Sequence, residues 1–521
     1  MEVQENHDSI LENISRDHLQ GALSDVTDSQ RYKEIERLPL PAYTMGSSIQ
    51  RLTLQINIDG LEVAKSSASS LYPVMVIINE LPPTSRQRNI LVPFLFRKHG
   101  EVDFSDTLLK ILKDDLNDLN QNGLQWWDPN GNAHRTQIIP YCLCTDSMMK
   151  YKLLGIKSPS GYSSCPNCKE VGAYLYKGNG GSTCFPALLD EESNLIVAEP
   201  RTMDTFETGV NGQVNIPLLA SLNNIGDKLF ECTAIDQLHG VFGGNVKALI
   251  KRIFFSTSVP LVLRQKRLEH ANSFMRSITP PSFMERGVRL LTDYKLWKGH
   301  EWREFFFYVM IPLLHSLVNE QLMRCNQARH LEKYIIAVSL LNGEQILPND
   351  IDVAKDLLHE FVSQLDNFYE VGAWTHNMHL TLHLSDMVTY LGPLWSVSMF
   401  AYEGFNRTIL NSFNGSRYVL EQIGARLGLR RSIYILHDKI KEIKPLSITL
   451  ANGICKSKAV QNVLHSFRGN NQVSSKDRFH IASWYNDVAI SPASLNLQSC
   501  SHIVVGREKF GIGTYYRDGG L

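Results

Sequence analysis

The residues between 50 and 155 show strand-like and helix-like patterns whose order constrains the fold. Strand patterns occupy 51–60, 72–81, 89–98 and 136–146, and helical patterns occupy 103–123 and 147–155. The first strand, RLTLQINIDG, alternates apolar and polar residues and ends in Asp-Gly, whereas YPVMVIINEL is almost continuously apolar and is typical of a buried strand. Three strands, a helix, a strand and a helix predict a layered α/β domain.

This order of elements matches the first half of a ribonuclease H-like fold, although other α/β folds share stretches of it. Asp59 and Asp146 stand at the carboxyl ends of the first and fourth predicted strands. Carboxylates at such an edge are within reach of a ligand, and their mutual repulsion is relieved by a divalent cation. Aspartate at a strand end is also common turn chemistry, so position alone leaves both interpretations open.

Changes in composition and in apolar periodicity divide the sequence into five regions. Gly, Ser and Cys dominate after residue 156, helical patterns dominate about 228–390, and the tail has short apolar runs broken by Gly, Asn and Ser. We expect a partly disordered or helical lead-in at 1–48 and the first part of the core at 49–155. A long and mainly helical insertion follows at 156–390. The last part of the core, with a Glu-bearing helix, lies at 391–445, and a small β-rich module lies at 446–521.

The stretch SCPNCK contains Cys165 and Cys168 at the C-x-x-C spacing that lets two thiolates bind one metal ion. No second C-x-x-C occurs, so the pair is either two free thiols or half of a divided site. His379 and His383 are four residues apart on a predicted helix and share one face, with His376 as a less well spaced alternative. Together the pairs predict a Cys₂His₂ zinc site, which is structural because no ligand position stays open.

Two further patterns carry potential chemistry. Asp236 and His239 are separated by one helical turn in TAIDQLHGVFGG, which indicates either an Asp–His pair or an acidic residue in the first turn of a helix. Glu403 is the one acidic residue of the apolar and aromatic stretch 392–410. A buried carboxylate requires a partner or a metal ion, so Glu403 is a candidate third ligand for a two-metal phosphoryl-transfer site.

Charge and composition restrict the partners. The formal net charge is −1, but residues 245–303 hold twelve Lys and Arg against four Asp and Glu, which indicates either a solvated helical face or a phosphate-binding surface. The nine cysteines are an odd number and no signal-like segment opens the chain, which favours a reducing compartment. The apolar run 305–318 is too short for a membrane span and predicts a buried helix.

Six blocks of the sequence together resemble the transposases of the CACTA (En/Spm) group of DNA transposons, in their animal and fungal form. The blocks are INIDGLEVAKSSASSLYPVMVIINELP, CTDSMMKYKLLGIKSPSGYSSCPNCKEVG, IDQLHGVFGGNVKALIKRIF, LWKGHEWREFFFYVMIPLL, HLTLHLSDMVTYLGPLW and SMFAYEGFNRTILNSFNGSRYVLEQI. The resemblance runs in order from about residue 50 to residue 430. It implies a ribonuclease H-like domain whose Asp-Asp-Glu triad, interrupted by a long insertion before the Glu, is Asp59, Asp146 and Glu403.

The same resemblance implies the remaining parts of the site. The family's C-x-x-C, D-x-x-H and His pair fall on the residues named above, and the similar V(D)J recombinase joins the ends of its insertion with zinc. The triad would hold catalytic Mg²⁺ or Mn²⁺, the zinc would be structural, and the partners would be transposon-end and target DNA in the nucleus, with the protein acting as a homo-oligomer. The expected DNA-contacting residues are Lys247, Lys251, Arg252, Arg264, Lys266, Arg267, Arg407 and Arg417.

The expected function is therefore that of a DDE-type DNA transposase or a protein derived from one, which cleaves phosphodiesters and transfers strands with two metal ions. One alternative is a domesticated or decayed transposase that acts as a non-catalytic DNA-binding or scaffold protein. A second alternative is a ribonuclease H-like nuclease without transposition, which shares the triad. Only the detection of strand-transfer products distinguishes a transposase from such a nuclease.

Overall fold

A computed structural model describes residues 2–16, 21–63, 69–99, 106–128, 130–177, 180–192, 195–280, 288–415 and 417–443, and four short strands beyond them. The chain divides into two compact units. Unit 1 comprises residues 1–62 and 68–402, and unit 2 comprises residues 63–67 and 403–521.

The strands are β1 (Arg51–Ile58), β2 (Leu61–Glu62), β3 (Ser69–Ile78), β4 (Leu91–His99), β5 (Leu124–Trp127), β6 (Ala133–Leu143), β7 (Ala173–Lys177), β8 (Gly180–Cys184), β9 (Leu188–Leu189), β10 (Leu195–Ile196), β11 (Asn471–Gln472), β12 (Gln498–Ser499), β13 (His502–Val505) and β14 (Glu508–Gly511).

The α-helices are α1 (Glu2–Glu5), α2 (His7–Ile14), α3 (Gln30–Glu36), α4 (Pro83–Arg86), α5 (Asp106–Gln121), α6 (Ser147–Leu154), α7 (Lys247–Phe255), α8 (Leu261–Ser277), α9 (Gly299–Glu304), α10 (Met310–Asn319), α11 (Cys325–Leu341), α12 (Pro348–Ser363), α13 (Leu365–Phe368), α14 (His376–Leu380), α15 (Leu384–Leu391), α16 (Phe400–Leu410) and α17 (Val419–Ile443). Gln237–Val246 and Phe305–Val309 are π-helical, and short 3₁₀ turns include Thr381–His383 and Leu394–Val397.

A six-stranded mixed sheet forms the centre of unit 1, in the order β2-β3-β1-β6-β5, with β4 also paired to β3. Strand β1 runs antiparallel to β3 and parallel to β6. The mixed α/β architecture expected from the sequence is confirmed, as are the four strand patterns and two helical patterns between residues 51 and 155. Strand β5 was not foreseen, because only four residues form it and its hairpin partner is the longer β6.

Both faces of β1 are buried, although its alternating pattern is that of a strand with one wet face. The apolar face (Leu52, Leu54, Ile56 and Ile58) belongs to the core, where it is joined by leucines of α5 and α6. On the opposite face the Gln55 amide donates to Asn79 and to the carbonyl oxygen of Ser396, and the Asn57 amide donates to the carbonyl oxygen of Cys144. The amide N–H groups of both side chains thus donate to other segments of the chain instead of to water.

The structure adds detail to two helical segments, the run 305–318 and the start of α12. The apolar run that predicted one helix over 305–318 is a π-helical segment followed by α10, and this change of pitch is not encoded in apolar periodicity. Helix α12 begins at Pro348, and Leu347 before it makes no side-chain cap hydrogen bond. Asp350 instead accepts a hydrogen bond from the backbone N–H of Leu347, which satisfies one donor at the helix start.

The described part of the lead-in is helical and packed, since Val3 and Ile10 belong to the core of unit 1. The lead-in also contributes Asp25 to a buried ion pair with Arg86, in which two guanidinium nitrogens each lie 2.6 Å from a carboxylate oxygen. In the tail, β11 pairs with β12 and β13 with β14. The rest of the expected β-rich module lies outside the described residues.

Replacement of Asp25 by Ala should lower the free energy of unfolding by about 3–5 kcal/mol, because it leaves the Arg86 guanidinium buried without its counter-charge. Urea denaturation monitored by circular dichroism measures the change. The double variant Asp25→Ala/Arg86→Met should be less destabilised than Asp25→Ala alone, since no unpaired charge remains. A double variant that loses the sum of both single effects would contradict this account of the pair.

Candidate functional site

Four side chains from two distant segments converge in unit 1. The thiols of Cys165 and Cys168 meet the imidazoles of His379 and His383, with all four ligand atoms within 4.8 Å of one another and all four residues buried. The Cys168 Sγ to His379 Nε2 distance is 3.1 Å, the Cys165 Sγ to His383 Nε2 distance is 3.5 Å, and the two Nε2 atoms are 3.4 Å apart. The four residues that the sequence predicts as zinc ligands are thus brought together, and we call this cluster the metal centre.

The spacing of these atoms fits a tetrahedral zinc ion. Zinc–sulfur bonds of about 2.3 Å and zinc–nitrogen bonds of about 2.0–2.1 Å imply ligand-to-ligand edges of about 3.3 Å between two nitrogens and about 3.5 Å between nitrogen and sulfur. Two thiolates with two imidazoles in this arrangement favour zinc over the harder cations, which prefer oxygen ligands. The donor set is therefore suited to a closed structural zinc site, with no position for a substrate.

The cysteine half is shaped by a loop that folds back on itself. The backbone N–H of Asn167 donates to Cys165 Sγ at 3.4 Å, as is common for metal-binding thiolates. A backbone bridge joins Cys168 to Pro200, and the N–H of Arg201 donates to the carbonyl oxygen of Asn167. The returning segment thus fixes the orientation of the C-x-x-C loop.

Arg201 is a component of this centre that the sequence did not reveal. It is 1% exposed, and its guanidinium donates to the carbonyl oxygens of Cys165, Ser163, Cys168 and Asn211 at 2.9–3.3 Å. One planar group thus holds three points of the cysteine loop and one of the segment beyond it. An isolated Arg in a Gly- and Ser-rich loop carries no recognisable signal, so only the fold identifies its role.

The two thiols have different proton affinities. Burial acts to raise the pKa of Cys165, but hydrogen bonds from Cys168 and from the backbone N–H groups of Asn167 and Cys168, with the charge of Arg201, outweigh it and lower the pKa. The hydrogen bond with Cys165 and then burial raise the pKa of Cys168. The loop therefore favours one thiolate in advance, which suits a metal ligand that must be deprotonated.

The histidine half is carried by α14 and the 3₁₀ turn after it. Thr375 caps α14 by accepting the N–H of Met378, and His379 stacks on Phe185 with ring centroids 5.2 Å apart. His376, the alternative ligand, lies outside the cluster of four and contacts the Tyr151 hydroxyl at 2.9 Å. Burial, followed by the nearby His379, lowers the pKa of His376 to about 3, so it is a neutral hydrogen-bonding residue.

Asp59 and Asp146 follow the carboxyl ends of two adjacent parallel strands, as expected. Ile56 of β1 pairs with Leu143 of β6, so the chain leaves both strands at the same edge of the sheet. Asp59 is 7% exposed and accepts the N–H of Gly60 at 2.7 Å. Asp146 is half-buried and caps α6 by accepting the N–H of Met149. We call this edge, with its two aspartates, the acidic edge.

A third aspartate, Asp236, follows an extended segment beside β6. Leu143 donates to the carbonyl oxygen of Cys232 and accepts the N–H of Ala234, which is parallel pairing. Asp236 is buried, lies 2.6 Å from His239 Nδ1, and accepts the N–H groups of Leu238, His239 and Met399. Both readings of this motif hold, because the same carboxylate caps the π-helical segment and pairs with the histidine.

Lys150 is a second residue that sequence reasoning missed. It lies on α6, one turn after Asp146, and is 4% exposed. Its ammonium donates to the carbonyl oxygen of Ala234 at 2.6 Å. Burial lowers the pKa of Lys150, whereas the charges of Asp236, Cys144, Asp146 and Cys165 act in the opposite direction. A lysine in a short helical segment would be assigned to the surface, so its burial has no recognisable signal in the sequence.

Glu403 belongs to unit 2, in the first turn of α16. The helix follows directly after Met399, whose N–H is held by Asp236. The structure places Asp59 and Asp146 at one edge of unit 1, and the convergence of all three carboxylates stays a prediction.

The expected DNA-contacting residues fall into two groups. Lys251, Lys266, Arg407 and Arg417 are exposed, and Lys247 and Arg264 are partly so. Arg267 is buried and donates to the carbonyl oxygens of Leu322 and Ile253, and Arg252 donates to that of Gly372. The guanidinium groups of the second group contact backbone carbonyls of unit 1, so the exposed lysines present the more accessible charge.

Comparison with protein-family models and with curated proteins finds no match for this chain. Within the described ranges, no helix combines the length and the apolar character needed to cross a membrane.

Purified full-length protein should contain about one zinc ion per chain, and Cys165→Ser should lose it, because three remaining ligands hold the metal far less tightly. Elemental analysis by inductively coupled plasma mass spectrometry gives the zinc content. Cys184→Ser is a matched control, since Cys184 is buried but lies outside the cluster. Equal zinc in the Cys165→Ser and parent proteins would refute the assignment.

Proposed function

We propose that the protein is a metal-dependent enzyme of DNA strand cleavage and transfer, of the DDE transposase type or derived from it. The observation that carries this proposal is the position of Asp59 and Asp146 at the carboxyl ends of the adjacent parallel strands β1 and β6. Two carboxylates at neighbouring strand ends are a common arrangement for divalent cations that act on phosphates.

The topology of the sheet supports the same proposal. Strands β4, β3 and β1 are consecutive antiparallel neighbours, β6 is parallel to β1, and the segment around Thr233 is parallel to β6. A three-stranded antiparallel meander followed by two parallel segments is the order of a ribonuclease H-like core. The resemblance of the sequence to CACTA transposases implies that core independently of the strand pairing.

The residues of the chain would act as ligands and positioning groups. Asp59 and Asp146, with Glu403 as the proposed third carboxylate, would hold two Mg²⁺ or Mn²⁺ ions. Such ions, when bound, supply Lewis-acid activation of water and stabilise the leaving 3′ oxygen. Asp146 also caps α6, so its carboxylate is held in place by the N–H of Met149 before any cation arrives. The triad would take no covalent part in the reaction.

The metal centre has a structural role in this proposal. Its cysteine pair follows Asp146 and its histidine pair precedes Glu403, so the proposed zinc joins the two ends of the inserted segment 156–390. A closed four-ligand site stabilises the fold and leaves no position for a substrate. Loss of zinc would therefore abolish cleavage through misplacement of the carboxylates.

DNA would be bound through exposed basic residues, and Lys251 and Lys266 in unit 1 are two exposed members of the segment 245–303. Contacts of lysine with phosphate depend strongly on salt and carry no sequence information. A DNA substrate of this kind further implies a nuclear protein that acts as a homo-oligomer on transposon ends and target DNA.

Asp59→Asn and Asp146→Asn should each lower the rate of Mg²⁺-dependent nicking of supercoiled plasmid DNA by about a hundredfold or more. Lewis-acid stabilisation is worth several kcal/mol, and each ~1.4 kcal/mol is a factor of ten in rate. Gel electrophoresis of the nicked product gives the rate. Asp115→Asn is the control, because Asp115 is an exposed residue of α5. Nicking that persists undiminished in Asp59→Asn would rule out the proposed catalytic site.

Lys251→Ala/Lys266→Ala should reduce the dependence of DNA binding on salt, with the slope of log K against log[salt] smaller by about two, roughly one for each lost phosphate contact. Fluorescence anisotropy at a series of NaCl concentrations measures the slope. Lys333→Ala/Lys355→Ala removes the same charge from lysines that pair with Glu360 and Asp386 outside the basic segment. Equal slopes in the two double variants would remove this segment from the DNA-binding surface.

A further inference from the structure

The buried ammonium of Lys150 belongs to a helix that lies between the acidic edge and the metal centre, the two parts of unit 1 on which the proposed function depends. Lys150 lies on α6, whose first residue follows Asp146, and the next residue on that helix, Tyr151, contacts His376 beside the metal centre. An ammonium that is 4% exposed requires anionic partners, because an unpaired charge in the interior is strongly unfavourable.

The hydrogen bond of Lys150 fastens the segment that leads to Asp236. Its Nζ donates to the carbonyl oxygen of Ala234 at 2.6 Å, two residues before Asp236. Ala234 in turn donates its N–H to Leu143, the last residue of β6. Helix α6, strand β6 and the Asp236 segment are therefore held in one network at the acidic edge.

Lys150 lies one turn after Asp146 on α6, and its ammonium donates to the carbonyl oxygen two residues before Asp236. Burial lowers the pKa of Lys150, and the negative charges of Asp236, Asp146 and Cys165 act in the opposite direction. Asp146 is a proposed metal-binding carboxylate, whereas Cys165 is a ligand of the metal centre. A cation in this position compensates the carboxylates of the edge whenever no divalent cation is bound.

We propose that Lys150 is a positioning residue whose fixed positive charge holds the Asp146 and Asp236 carboxylates in their working arrangement. This inference rests on the proposed function, since it assigns the charge a role in metal-dependent cleavage. A fixed cation also repels an incoming divalent cation, so Lys150 weakens metal binding while it preorganises the carboxylates. Loss of the charge therefore has two effects of opposite sign, tighter binding of the divalent cation and slower cleavage.

The test compares Lys150→Met and Lys150→Gln with the full-length, zinc-loaded parent. Mn²⁺ binding is followed by electron paramagnetic resonance, with Asp59→Asn defining the signal from the acidic edge, and nicking is measured at saturating Mg²⁺. We expect both variants to bind Mn²⁺ at least threefold more tightly and to nick at least tenfold more slowly, with unchanged zinc content. Lys150→Arg should stay within about twofold of the parent, because an Arg keeps the charge.

Lys150→Gln removes the charge and keeps a polar side chain with N–H donors, one bond shorter than that of lysine, whereas Lys150→Met removes both the charge and the donors. A Lys150→Gln protein equal to the parent in both measurements would overturn the inference, and so would weaker Mn²⁺ binding in Lys150→Met, which is the result of a merely structural role. Lys152→Gln is the matched control on the same helix, since Lys152 is exposed. If Lys150→Met does not fold, Lys150→Gln and Lys150→Arg carry the comparison.

The failure of this inference can be told apart from failure of the proposed function. A parent protein that binds Mn²⁺ and nicks DNA, with Lys150 variants that behave alike, refutes only the role of Lys150. A parent protein that binds Mn²⁺ without nicking DNA refutes the proposed reaction. It also refutes the inference, because the charge of Lys150 then has no cleavage to assist. A parent that does neither overturns both.

Discussion

The parallel pairing of β1 with β6 is the constraint on which the site depends. Parallel neighbours cannot be joined by a tight turn, so the chain between them must cross over, here through β3, β4, α5 and β5. The pairing brings Asp59 and Asp146 to one edge, and the Asn57 amide ties the ends of the two strands by donating to the carbonyl oxygen of Cys144. The parallel segment Cys232–Ala234 then extends the edge and delivers Asp236 to it.

Buried thiols and buried cations lie near one another in the rest of unit 1. The metal centre places two thiols in the interior, and Arg201 and Lys150 are buried cations whose electrostatic partners include Cys165. Interior thiolates are tolerated when a metal ion or neighbouring cations compensate them, and interior cations are tolerated for the reciprocal reason. The charges of Cys165 in the Cys/His cluster and of Asp146 at the acidic edge therefore both act on Lys150.

Much of the core could be predicted from local pattern, because strands and helices impose periodicities of 2 and 3.6 that short segments display by themselves. The alternation in 51–60 and the helical pattern in 103–123 therefore identified β1 and α5. The pattern did not show that Thr53, Gln55 and Asn57 are buried, since the segments that cover them lie elsewhere in the chain. The burial of Lys150 and Arg201 could not be predicted for the same reason, because a charged residue in the interior is recognised only through its partners.

The sequence by itself determined which groups can do chemistry: the Cys and His pairs at ligand spacing, and the aspartates at strand ends. These follow from local spacing, which a short segment carries without reference to the rest of the chain. Only the tertiary structure decided that two pairs 211 residues apart share one cluster, and that a lysine on α6 donates to the segment that leads to Asp236. Such contacts depend on how the chain crosses over and what it buries, and no local periodicity records either.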